Sequence, residues 1–208
     1  MGVHEEFKAQ LKSYGIKLFR ADAFGSFMRL YTNHASDLMD WYAKATSALR
    51  PNEQLFLKFV SLAGLRKIEA IASFNKIIEL NKQGKLSEYY NEEKSLLEHL
   101  KFKEQFLRGT KNVYISFLPK EVILSIAESE PVSYDAIEKR LMRAKIRCRV
   151  NELRDNFGTF MVRHGLIKEE VDLLQGRIPP SIFIRHYWSP SFKELRDRTL
   201  VALGQIAI

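Results

Sequence analysis

Residues 151–187 read NELRDNFGTFMVRHGLIKEEVDLLQGRIPPSIFIRHY, and this stretch decides how the chain is understood. Asn151 to His164 reads as a helix, with Gly165 placed as the residue that closes it. Lys168 to Leu174 makes a second, short helix, and Pro179-Pro180 stops any continuation before the segment that carries Tyr187. Arg154 lies near the start of the first helix, Arg177 follows 23 residues later, and Tyr187 follows 10 residues after that. Two guanidinium groups supply fixed positive charge and a phenol supplies a nucleophile. With Arg66 and Lys111 further upstream, this is equipment for attacking a phosphodiester without a metal.

Working outward, Arg66 sits in Gly64-Leu65-Arg66-Lys67-Ile68-Glu69. The helix before it should open at Pro51, where the missing N–H costs nothing, and end near Gly64. Leu55, Phe59 and Leu62 recur at helical spacing, widened by Leu57 and Val60. Ile68 to Leu80 reads as a further apolar segment, and Lys82 to Lys94 as a polar connection. Lys101 to Leu107 alternates, and Val113, Ile115 and Phe117 alternate again, which predicts a β-hairpin with Gly109-Thr110-Lys111-Asn112 as its turn. Helices are expected over Lys120–Glu128, from an N-cap at Ser133 to about Lys145, and over Phe192–Leu203. The chain is therefore expected to be mainly α with a small antiparallel β-sheet.

The 208 residues suffice for one medium domain or one domain with an appendage, and the 46% of hydrophobic residues for a packed core. The formal charge of +8 suits a nucleic acid or another anionic surface. Much of the excess lies between Glu138 and Arg154, where Lys139, Arg140, Arg143, Lys145, Arg147 and Arg149 precede Arg154. A solvated helix face would explain some of these; their place beside a phosphate-site candidate favours a DNA backbone track. A lone cysteine, Cys148, excludes an intrachain disulfide and a cysteine-rich zinc site. Neither a membrane span nor a signal peptide is recognisable, which points to a cytoplasmic, nucleoid-associated protein. No Walker glycine loop, HExxH or CxxC occurs, so neither a catalytic metal nor another cofactor is expected.

The order, spacing and local context of these residues resemble the catalytic domain of the tyrosine recombinases, or phage-type integrases, and especially those of archaeal viruses and plasmids. The resemblance covers roughly residues 45–200. In that family an arginine follows a "G-L-R-x-x-E" helix end, matched by Gly64 to Glu69. A lysine occupies a hairpin turn, matched by Lys111. An "x-x-R" motif opens a helix, matched by Asn151 to Arg154, and an "L-G-H"-like context is matched by Leu174-Gln175-Gly176-Arg177. Two positions depart: Asn151 stands where the family has histidine, lysine or tyrosine, and Arg177 where it has histidine or tryptophan.

The resemblance implies a site-specific recombinase that cuts and rejoins duplex DNA through a 3′-phosphotyrosine on Tyr187. Arg66 and Arg154 would clamp the phosphate and Lys111 would protonate the leaving 5′ oxygen. Arg177 would donate hydrogen bonds to the phosphate or contact the DNA backbone outside the centre. Asn151 would bond the phosphate, cap its helix, or both, and cannot itself take a proton. Glu69 would orient the Arg66 helix end through an ion pair, while His164 and His186 read as structural. A tetramer on paired att sites follows from the resemblance, with the C-terminal helix docked on a neighbouring protomer. Residues 46–208 would be the catalytic domain, and residues 1–45 an extension or linker from a missing DNA-clamping domain. Rival readings are a non-catalytic DNA-binding protein of recombinase ancestry, a type IB topoisomerase-like nicking enzyme and, more distantly, a metal-dependent nuclease.

Overall fold

The computed structural model describes residues 13–14, 35–109, 111–178 and 189–206. Tyr187, His186 and most of residues 1–45 lie outside the described residues. The chain divides into two compact units, Met1–Asp37 and Leu38–Ile208. Helix α1 spans Ala35–Ala48. Its Leu38, Trp41, Tyr42 and Ala45 are buried in the core of the second unit, and Trp41 Nε1 donates to the carbonyl of Arg147 at 2.7 Å.

Helix α2 (Pro51–Ala63) starts with Pro51 at its first turn and ends at Gly64, whose φ of +61° is a left-handed cap. Both ends agree with the sequence expectation. Glu53 serves the first turn twice: its carboxylate accepts from the Arg50 backbone N–H at 2.9 Å and from Arg140 Nε at 2.7 Å. After the cap, Arg66 is the extended N-cap residue of α3 (Lys67–Lys82). Phe56 and Phe59 of α2 meet the Phe74 ring of α3 edge-on, with centroids 5.6 and 5.9 Å apart. All three rings are fully buried, and losing one such ring costs about 3–5 kcal/mol.

The next stretch differs from the sequence expectation. Residues Lys82–Lys94 are not a plain connection: they contain a 3₁₀ turn at Leu86–Glu88 and strand β1 (Tyr90–Asn91). Strand β1 pairs antiparallel with β2 (Leu96–Leu97), and β2 with β5 (Ser116–Phe117), in a three-stranded sheet. The alternating run Lys101–Leu107 is mostly helical: a 3₁₀ turn at His99–Lys101 leads into a single turn, α4 (Lys103–Phe106). Only Leu107–Arg108 (β3) and Lys111–Asn112 (β4) form the hairpin. Lys111 thus opens the return strand rather than sitting in the turn. The apolar alternation is real but is satisfied by burial of Phe106, Val113 and Ile115 under short, irregular elements.

A buried polar chain joins these pieces. Tyr89 Oη donates to Ser73 Oγ at 2.9 Å and lies 2.6 Å from His99 Nδ1, while His99 Nε2 lies 2.9 Å from Ser116 Oγ. Burial lowers the His99 pKa to about 3, so its ring is neutral.

Helices α5 (Lys120–Ala127) and α6 (Tyr134–Arg143) come next. Ser133 occupies the N-cap position of α6 without a side-chain cap bond. Helix α7 (Val150–Arg163) is capped at Arg149, so Asn151 is the second helical residue and not the cap. Gly165 follows its end with φ +92°, in agreement with its place in the sequence. Helix α7 packs on the end of α2 so closely that a Cβ on Gly64 would stand 2.3 Å from the Phe157 ring. Helix α8 (Lys168–Leu174) and, after the undescribed stretch, α9 (Phe192–Leu203) complete the chain. Helix α9 is seated on its own unit: Leu195 and Thr199 are buried, and Arg198 forms a forked ion pair with Glu170 of α8.

Candidate functional site

Three chain segments far apart in sequence meet at one cleft of about 310 Å³. The first turn of α3 contributes Arg66, Lys67, Ile68 and Glu69; the β3–β4 hairpin contributes Arg108 and Lys111; the first turns of α7 contribute Asn151, Arg154 and Asp155. Four residues singled out in the sequence, Arg66, Lys111, Asn151 and Arg154, therefore line a common wall.

Arg154 is 5% exposed, and its guanidinium is held by main chain. Nη1 donates to the Gly64 carbonyl at 2.7 Å and Nη2 to the Gln175 carbonyl at 2.8 Å. The Gln175 side chain returns the bond, its Nε2 donating to the Arg154 carbonyl at 2.9 Å. A guanidinium has five N–H donors, so two carbonyls orient the fork without exhausting it. Burial lowers the Arg154 pKa to about 10, and the positive charges of Arg66 and Arg177 add to the effect. A buried cation pressed by two others is a site that an anion would relieve.

Arg66 is pinned by its backbone, being the N-cap of α3, yet its Nη1 is buried with no hydrogen-bond partner among the described residues. Its distance to Glu69 Oε1 is 4.0 Å, a loose pair. The close partner of Glu69 is Arg108, whose Nη2 donates to Oε1 at 2.5 Å. Neighbouring Lys67 sits 4.3 Å above the Tyr134 ring, in a cation–π contact, and Tyr134 Oη lies 3.3 Å from Cys148 Sγ.

Lys111 forms no ion pair among the described residues and is exposed at the cleft. Its strand is fixed from both sides. The Asn112 side chain donates to the Gly109 carbonyl at 3.1 Å and closes the turn. Gly176, with φ +70°, presses on the strand from behind: a Cβ there would stand 1.8 Å from the Asn112 carbonyl oxygen. Arg177, next in the chain, is half exposed and reaches Asp172 Oδ1 at 3.6 Å. It does not line the cleft, but it is near enough to depress Arg154.

The basic residues before α7 divide into two sets. Lys139, Arg143, Lys145 and Arg147 are exposed or half exposed, without an ion pair to an acidic residue of another element among the described residues. Arg140 and Arg149 are half buried in ion pairs with Glu53 and Glu152. Sequence reasoning missed the Arg108–Glu69 pair and the Gln175 bonds to Arg154. Neither has a spacing signature, because 39 and 21 residues separate the partners.

Among the described residues, no group of histidine, cysteine, aspartate and glutamate is arranged to hold a metal ion. No helix of the described residues is long and apolar enough to cross a membrane. A comparison with protein-family models matches residues 41–193 to the archaeal phage integrase family. Comparisons with curated proteins and with solved structures returned no match.

Proposed function

The chain belongs to the archaeal phage integrase family, and on that premise we propose that it cuts and rejoins duplex DNA through a covalent 3′-phosphotyrosine on Tyr187. Membership makes it an integrase-type protein that acts on DNA; the roles of individual residues are our reading. The observation that carries it is the convergence of Arg66, Lys111, Asn151 and Arg154 on one cleft from three separate segments.

The Tyr187 phenol gives its proton to water as its oxygen bonds to phosphorus, the P–O5′ bond breaks, and the Lys111 ammonium gives a proton to the departing O5′. Arg66 and Arg154 receive the charge that builds on the non-bridging oxygens. The depressed pKa of Arg154 fits this role, since a phosphate would offset the mutual repulsion of the arginines. Asn151 adds a hydrogen bond to the phosphate, and Arg177, which does not line the cleft, contacts the DNA backbone outside it. In the second half-reaction a 5′-hydroxyl from another strand gives its proton to the Lys111 amine and attacks the same phosphorus, and the departing phenolate takes a proton from water. The ester bond is conserved throughout, so neither ATP nor a metal is required.

The basic residues Lys139, Arg143, Lys145 and Arg147 hold the flanking duplex, with Arg140 and Arg149 at its edge. Four protomers assemble on paired att sites.

The test is covalent trapping. A duplex selected by binding from random-sequence DNA is nicked near the bound centre and incubated with the protein in EDTA. A DNA-shifted band on a denaturing gel that disappears in Tyr187→Phe supports the proposal. Tight binding without an adduct would instead identify a DNA-binding protein that has lost the chemistry.

A further inference from the structure

Arg108 faces Lys111 directly across the β3–β4 ladder. Two cations opposite one another in an antiparallel pair repel. A hairpin with two residues in each strand has little of its own to resist that repulsion. The structure deals with it by turning Arg108 away, onto Glu69 at 2.5 Å. Glu69 is 1% exposed and stands in the first turn of α3, and its second oxygen is buried with no hydrogen-bond partner among the described residues. A buried carboxylate with one bare oxygen depends on the cation it has, because removing that partner leaves an uncompensated charge. Both line the cleft, but Lys111 is the cation of this pair that has no acidic partner among the described residues.

Resting on the reading of Lys111 as the proton donor, we propose that Arg108 is its positioning residue. The Arg108–Glu69 pair fastens the hairpin to α3, the helix whose N-cap is Arg66. Proton donor and phosphate clamp are thereby held in one frame. Arg108 acts through Lys111 and does not touch the scissile phosphate.

The experiment compares two cleavable duplexes, one with the ordinary 5′ oxygen at the scissile position and one with a 5′-bridging sulfur. A thiolate leaves without a proton, so the sulfur substrate bypasses the acid. Lys111→Ala should be slowed about 100-fold or more on oxygen and run near the wild-type rate on sulfur. Arg108→Ala should show the same pattern, slow on oxygen and restored on sulfur. Arg108→Lys keeps a cation for Glu69 and should fall between wild type and Arg108→Ala on oxygen, while matching wild type on sulfur. It also serves if the alanine variant does not fold.

Arg108 variants slowed equally on both substrates, with Lys111→Ala still restored by sulfur, would overturn the positioning role and mark Arg108 as a phosphate contact. Lys111→Ala not restored by sulfur would remove the acid reading, and the Arg108 proposal with it.

Discussion

Replacing Gly176 by alanine tests whether the Lys111 strand is set by backbone contact. Two penalties add. The φ of +70° places an L-residue in the left-handed region, at a cost of about 1–2 kcal/mol. The new methyl would stand 1.8 Å from a main-chain carbonyl oxygen, and overpacking of this kind costs about 1–3 kcal/mol. Reduced freedom of the unfolded chain returns about 0.4–1 kcal/mol. The net is about 1–5 kcal/mol, or a melting point lower by about 2–20 °C for a chain of this size.

Relief requires β4 to retreat by about an ångström, and misplacement on that scale costs about 100-fold in rate. Gly165→Ala is the control: its φ is +92° but nothing lies within 4 Å of the new carbon. It should show the conformational penalty alone and leave cleavage unchanged. Thermal melts and adduct formation on the nicked duplex give the two readouts. If Gly176→Ala melts no lower than Gly165→Ala and cleaves within about twofold of wild type, the close approach does not position Lys111 and the reasoning fails.

Sulfate should stabilise the protein beyond sodium chloride of equal ionic strength, by about 1.4 kcal/mol at about ten times its dissociation constant, and Arg66→Ala should abolish the increment in a melting assay. The folded pKa of Arg154, about 10, lies below its unfolded value. Its charge therefore costs stability at neutral pH, and a bound sulfate offsets that cost. His99 has a folded pKa of about 3, below its unfolded value. Stability should therefore fall as pH drops below about 6.5, by roughly 3 kcal/mol at about pH 4, with a shallower decline in His99→Gln; equal denaturation profiles would contradict a neutral buried ring. Alanine at Arg143 or Lys145 should lower the salt slope of DNA binding by about 0.9 each. Arg140→Ala should instead lower the melting point, because it bares the buried Glu53.

Local punctuation is legible in the sequence. Pro51 and Gly64 bracket α2 because one fixes φ and the other permits a left-handed cap. The helix expected over Phe192–Leu203 is α9, with the same bounds. The three-stranded sheet is not legible, since strands of two residues carry no period to detect. Lys101–Leu107 alternates like a strand but is mainly helical, because burial of Phe106 overrides local preference. Asn151 looks like a cap, whereas the helix begins one residue earlier behind Arg149. Arg66, Lys111, Asn151 and Arg154 are found by their contexts, and the cleft brings them together. What no spacing could supply is the scaffold: carbonyls of Gly64 and Gln175 on Arg154, and Glu69 on Arg108.

The left-handed cap at Gly64 has a consequence for how such a protein can change. Its carbonyl grips Arg154, and Arg66 follows it by two residues. The two guanidinium groups are thus gauged against the same short piece of main chain, with α7 pressed onto it at Phe157. Side chains on the outer faces of α6 and α7 can be exchanged without altering that gauge. On the reading proposed above, the basic track can be remodelled to grip the duplex differently, while the spacing of the two arginines stays constant.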